Sequence, residues 1–177
     1  MKRTLALSTA HMDILRRAWA AIGENRRDDA VALLNRLPTE LSTARNARAV
    51  CHLLGGEPQA AIDLLRPLVF PQDGLMMSTG ADPSWCANFA LALLRRGSDA
   101  GFRAAVAQLA PPDHPAVRRL RALVDAATPR RTGFGRLIGL FTGPPPVTLP
   151  VGFPVGWPET WLGEGQAATN DSSTDHR

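Results

Sequence analysis

The sequence has a single lysine, Lys2, among 20 basic residues, no tyrosine, two cysteines and 6% aromatic residues in 177. Two cysteines cannot staple a chain of this length into a disulfide framework. Cys51 and Cys86 each sit in an apolar helical stretch, which predicts buried thiols. The four histidines, His11, His52, His114 and His176, lack zinc-like spacing. Cys51 and His52 are adjacent, and neighbours on a helix point about 100° apart, too far to share a metal. The one glycine-rich stretch, Gly133, Gly135 and Gly139, follows no strand and is no phosphate cradle. No nucleophile, base and acid stand in a recognisable order, and Asp28-Asp29 reads as a pair favoured by a helix N-terminus. The expectation is a non-enzymatic protein without cofactor or metal.

Long charge-free helical runs are also missing. Leu137–Pro158 is uncharged but carries Pro144, Pro145, Pro146, Pro150, Pro154 and Pro158, which a membrane-spanning helix does not accommodate. At the N-terminus, Leu5–Ala10 is too short for a secretory core, and His11 and Asp13 follow at once. A soluble, cytoplasmic protein is expected. No basic run exceeds two residues, although the pI is near 10.3. Residues 1–136 hold 19 basic and 12 acidic side chains, a net +7; residues 137–177 are net −3. The arginine excess fits a coding bias and a solvated surface.

What is present is helical periodicity. Met12, Leu15, Ala18, Trp19 and Ile22 recur at helical spacing before Gly23 and Asn25 break the run. Ala30, Val31, Leu33, Leu34 and Leu37 form a second stripe, closed by Pro38. A third helix spans about 42–54 and ends at Gly55-Gly56. A fourth starts at Pro58, with Pro67 ending or kinking its last turn. After a loop over 71–82, Asp82-Pro83 opens a fifth helix through Arg96. Ser98 caps a sixth, and a seventh runs over about 115–127. No alternating strand pattern interrupts these segments, so the fold class is all-α.

The segments repeat. Ala18, Ala49 and Ala90 each lie seven residues before a turn residue, Asn25, Gly56 and Gly97. Ala30 and Ala61 lie five residues after the first two turns. With these residues the chain resembles the tetratricopeptide-repeat family, best over ARAVCHLLGGEPQAAIDLLRPL. Arg45 stands at the family's usual tryptophan, and Phe102 replaces the small alanine of the third unit. The resemblance covers about residues 10–110, with 115–127 as a capping helix. It implies a TPR-like solenoid of about three hairpins plus that capping helix, and a concave face that binds peptides or proteins. The groove positions it implies are Leu15, Trp19, Asn46, Val50, Asn88 and Leu91, with Arg45 beside them. The alternative is that these residues are core.

Beyond the helices lies a second rhythm. Val147, Leu149, Val151, Phe153, Val155 and Trp157 are apolar and alternate with Thr148, Pro150, Gly152, Pro154, Gly156 and Pro158. Period two puts six apolar side chains on one face of an extended segment. The prolines at 150, 154 and 158 remove donors from one edge only, so the odd-numbered edge stays able to pair. The expected organisation is a helical domain over 1–127, a proline/glycine-rich extension over 128–165 that packs on it, and a disordered tail over 166–177. A wholly disordered proline-rich tail is the alternative. The expected function is protein–protein interaction or scaffolding, with intramolecular contact to the tail. One rival is a peripheral membrane-surface binder using the basic amphipathic segment 130–141. A second is nucleic-acid binding, disfavoured by the scarcity of aromatics and the lack of a basic stripe.

Overall fold

A computed structural model describes residues 7–70, 76–127, 146–150, 153–154 and 156–158. Helices α1 (Thr9–Gly23), α2 (Arg27–Leu34), α3 (Ser42–Leu54), α4 (Pro58–Val69), α5 (Pro83–Arg95), α6 (Asp99–Gln108) and α7 (Pro115–Ala126) account for the ordered core. Among the described residues there is no strand. None of these helices is long and apolar enough to cross a membrane.

The helix starts follow local chemistry. Ser8 Oγ accepts the His11 N–H, and Asp82 Oδ1 accepts the Ser84 N–H at 2.8 Å. Proline opens α4, α5 and α7, where its missing donor is not needed. Two expectations shift. Ser98 holds the N-cap position of α6, but its hydroxyl makes no capping bond. The second helix stops at Leu34, and Leu37 reaches the core from the turn that follows, with its N–H bonded to Leu34 O. Pro67 lies inside α4, in the last turn before the helix ends at Val69, where the sequence placed it.

The turns after α1, α3 and α5 have the same geometry. Asn25, Gly56 and Gly97 take φ of 58°, 73° and 84°. In each, the N–H of the next residue bonds five residues back: Arg26 to Ala21, Glu57 to His52 and Ser98 to Leu93. The turn residue bonds three back, to Ile22, Leu53 and Leu94. This pair of bonds is the Schellman closure, which needs one left-handed residue. Asparagine tolerates that conformation better than other side chains, and glycine best of all. The sequence steps of 31 and 41 residues therefore connect equivalent corners.

Packing follows the corners. Each helix packs on the next along the chain, and α1 also touches α3, α3 touches α5, and α5 touches α7. Ala18, Ala49 and Ala90 are fully buried, as are Ala30 and Ala61. Small side chains at these positions bring helix axes close. Phe102, at the corresponding position of α6, is also fully buried, so that layer is filled by a ring instead. One apolar cluster joins α1, α2 and α3; another joins α3 to α7 and takes in Val147. Helix α3 contributes Val50 and Cys51 to the first and Ala49 and Leu53 to the second. Cys51 and Cys86 are free and buried, and burial pushes both thiols up to about 11.

Several arginines have structural partners. Arg48 Nη2 donates to Leu34 O and Leu37 O at 2.7 and 2.9 Å. Arg27 Nε donates to Cys51 O at 3.1 Å, and Arg95 Nη1 to Leu53 O at 3.3 Å. Arg121 Nη2 donates to Leu109 O at 2.8 Å. These carbonyls lie at or near helix C-termini, where main-chain acceptors lack partners and positive charge is favoured. Part of the arginine excess thus ties one helical pair to the next, a role composition does not reveal.

Candidate functional site

Two asparagines occupy helix interiors, where the side chain has low intrinsic propensity. Asn46 on α3 and Asn88 on α5 are both fully buried. A buried amide without partners costs on the order of 1–3 kcal/mol, so its hydrogen bonds matter. Asn88 Nδ2 donates to Asn46 Oδ1 at 2.8 Å and to Trp157 O at 2.8 Å. Asn88 Oδ1 accepts the Trp157 N–H at 2.8 Å. Asn46 Nδ2 also reaches Trp157 O, at 3.4 Å. Flipping the Asn88 amide would face donor to donor and acceptor to acceptor, so the network fixes its orientation.

The two bonds from Asn88 meet the N–H and C=O of one residue. That is how a residue of a neighbouring antiparallel strand would pair with it. The Asn88 amide acts as a one-residue strand fixed on a helix. Side-chain identity plays no part in these bonds, but a proline at that position would remove the donor.

The residue before Trp157 is set by sterics. A Cβ placed on Gly156 would lie 2.5 and 2.7 Å from the two Cγ atoms of Val50. Glycine permits this approach of main chain to α3. Trp157 meets Phe153 edge to face, with centroids 5.9 Å apart at 84°. Leu149, Phe153 and Trp157 are partly buried against the larger cluster, and Val147 is 7% exposed. Over residues 146–150 the odd positions turn inward and the even ones are exposed.

The far end of the segment is held by a charge. Val147 N–H donates to Asp99 Oδ1 at 2.9 Å, and Arg103 Nε donates to Asp99 Oδ2 at 2.8 Å. The Arg103 hydrogen bond, with the Val147 N–H, holds the Asp99 carboxyl below the usual carboxylate range. The segment is not one uninterrupted ribbon, however. Phe153 N–H bonds back to Pro150 O at 3.1 Å, a local bond that a uniformly extended chain does not make.

Of the positions implied by the resemblance, Asn46, Val50 and Asn88 converge on Gly156 and Trp157. Leu15 and Leu91 are fully buried in the two apolar clusters, and Trp19 is 8% exposed in the first. Arg45 is half-buried on α3. Val151 and Val155 lie outside the described residues, as does the whole of the basic segment 130–141. Asp99 was not singled out from the sequence, because its partner Val147 lies 48 residues away. Gly156 offered only its place in an alternating pattern.

Other clusters offer less. At the α3–α4 corner, Glu57 meets His52 Nδ1 at 2.6 Å and Arg27 Nη2 at 3.1 Å. The hydrogen bond with His52, aided by the Arg27 charge, holds Glu57 below its ordinary range. A cleft of about 410 Å³ is lined by Arg17, Arg26, Asp29 and Leu33, among others. There Arg26 is already paired with Glu24 and Asp29. Among the described residues no group of three or more His, Cys, Asp or Glu is placed to hold a metal. In comparisons with known proteins, no family model, no curated protein and no solved structure matches the chain.

Proposed function

We propose that this protein is a non-catalytic interaction module, a TPR-like solenoid of three helical hairpins and a capping helix, that binds an extended peptide by its main chain. The observation that carries this reading is the two-bond contact of Asn88 with the N–H and C=O of Trp157. A helix-borne amide that mimics a strand recognises extended backbone, the mode by which peptides add to sheet edges. The equivalent corners and the contacts of α1 with α3 and α3 with α5 support the solenoid arrangement. In that arrangement the odd-numbered helices line one face, from which Asn46, Val50 and Asn88 act.

The test uses the full chain with Gly156→Val, which drives residue 156 away from Val50 and clears the contact. A fluorescein-labelled peptide of residues 146–158 is titrated and followed by anisotropy. Saturable binding is expected, weakened at least about tenfold when Asn88→Ala is added, in keeping with the loss of buried hydrogen bonds. No saturable binding by the Gly156→Val chain would overturn the reading.

A further inference from the structure

Resting on that reading, we infer that the groove is a receptor for a glycine–aromatic pair in an extended peptide, and that Gly156-Trp157 occupies it in cis as a built-in competitor. The specificity follows from three constraints. Val50 leaves no room for a side chain at the first position, since any Cβ there would fall within 2.7 Å of both its methyl carbons. Asn88 requires an N–H at the second position, which excludes proline. The apolar surface beside it takes a ring, as it takes Trp157, with Phe153 packed edge to face. The external ligand is therefore a peptide with glycine followed by a non-proline, preferably aromatic residue.

Occupation in cis follows from the same contacts together with the anchor at Asp99. Val147 and Trp157 are both fixed by their N–H groups, to Asp99 and Asn88. Tethering gives the segment an effective concentration of millimolar order, so an outside peptide must compete with it. The bonds that hold Trp157 are individually weak enough to exchange. The segment thus sets a threshold: only a partner at high local concentration, or with contacts beyond the shared pair, displaces it.

The test compares the wild-type chain with the Gly156→Val chain, using the labelled 146–158 peptide and a second peptide in which its own glycine at 156 is valine. Circular dichroism establishes that both chains keep the same helicity. The wild-type chain is expected to bind the first peptide at least about tenfold more weakly than the Gly156→Val chain. Neither chain is expected to bind the valine peptide measurably. Equal affinity of the two chains for the first peptide would overturn self-occupation while leaving the peptide site standing. Equal affinity of the Gly156→Val chain for both peptides would overturn the glycine requirement. No binding by the Gly156→Val chain would overturn the interaction reading itself. Light scattering on the wild-type chain is expected to give a monomer. A concentration-dependent dimer that Gly156→Val abolishes would show exchange of segments between copies and overturn occupation in cis.

Discussion

The side-chain amide of Asn88 holds both main-chain polar groups of Trp157, donating to its carbonyl and accepting from its N–H, each at 2.8 Å. Asn46 braces this amide from the preceding helical pair through its own oxygen, also at 2.8 Å. Replacing Asn88 with alanine removes all three bonds and leaves Asn46 Oδ1 without this donor. A loss of about 1–3 kcal/mol in urea unfolding is expected. Asn88→Asp should be at least as harmful, because a carboxylate would face two carbonyl oxygens with no donor. A variant Asn88→Asp as stable as wild type would contradict the assigned network.

Gly156 and Val50 should be coupled. Gly156→Ala places a Cβ against the Val50 methyl carbons, and Val50→Ala opens that space. The double variant is expected to recover part of the loss caused by Gly156→Ala, with a coupling energy of about 0.5–3 kcal/mol, the range for residues in contact. Strict additivity in the same unfolding measurement would mean that the two residues do not touch.

The Asp99 contact gives the segment a pH dependence. The folded carboxyl titrates below its unfolded value of 3.8, because Arg103 and the Val147 N–H favour the charged form. A group depressed on folding contributes stability that is present above the unfolded value and lost as pH falls through the folded one. The anchor is therefore intact at neutral pH and fails only below about 3.8. In NMR, the Val147 amide resonance should move with a midpoint below that value, and Asp99→Asn should abolish the transition. A midpoint above 3.8 would contradict the anchor.

The corners carry their own expectation. Gly56→Ala and Gly97→Ala force a Cβ into the left-handed region and should each cost about 1–2 kcal/mol. Asn25→Gly relieves the same strain in the first corner and should be neutral or stabilising in thermal unfolding. Destabilisation by Asn25→Gly would show that the three corners are not equivalent.

How much of this was legible beforehand depended on the range of the interactions. Helix starts at Pro58, Pro83 and Pro115, and corners at Asn25, Gly56 and Gly97, are written in single residues and their neighbours. The small residues Ala18, Ala49 and Ala90 gave the spacing of close helix contacts. The carbonyl partners of Arg27, Arg48, Arg95 and Arg121 were not legible, because periodicity says nothing about which helix end a long side chain reaches across 11 to 42 residues. In the site, Asn46 and Asn88 were marked only as groove positions implied by the resemblance, and their shared partner 69 or more residues away was not legible. The alternation over 147–157 suggested one continuous ribbon. The bond from Phe153 to Pro150 interrupts it: the Phe153 donor is satisfied locally, and among the described residues no strand lies beside it.

The most direct measurement is amide hydrogen exchange at Trp157 in the full chain, compared with the Asn88→Ala chain. The N–H bonded to Asn88 should be protected by about a hundredfold or more, as for an amide released only by local opening of about 3 kcal/mol, and Asn88→Ala should abolish that protection. Exchange of the wild-type Trp157 amide at the rate of an unstructured peptide would contradict the groove contact on which the proposed function rests.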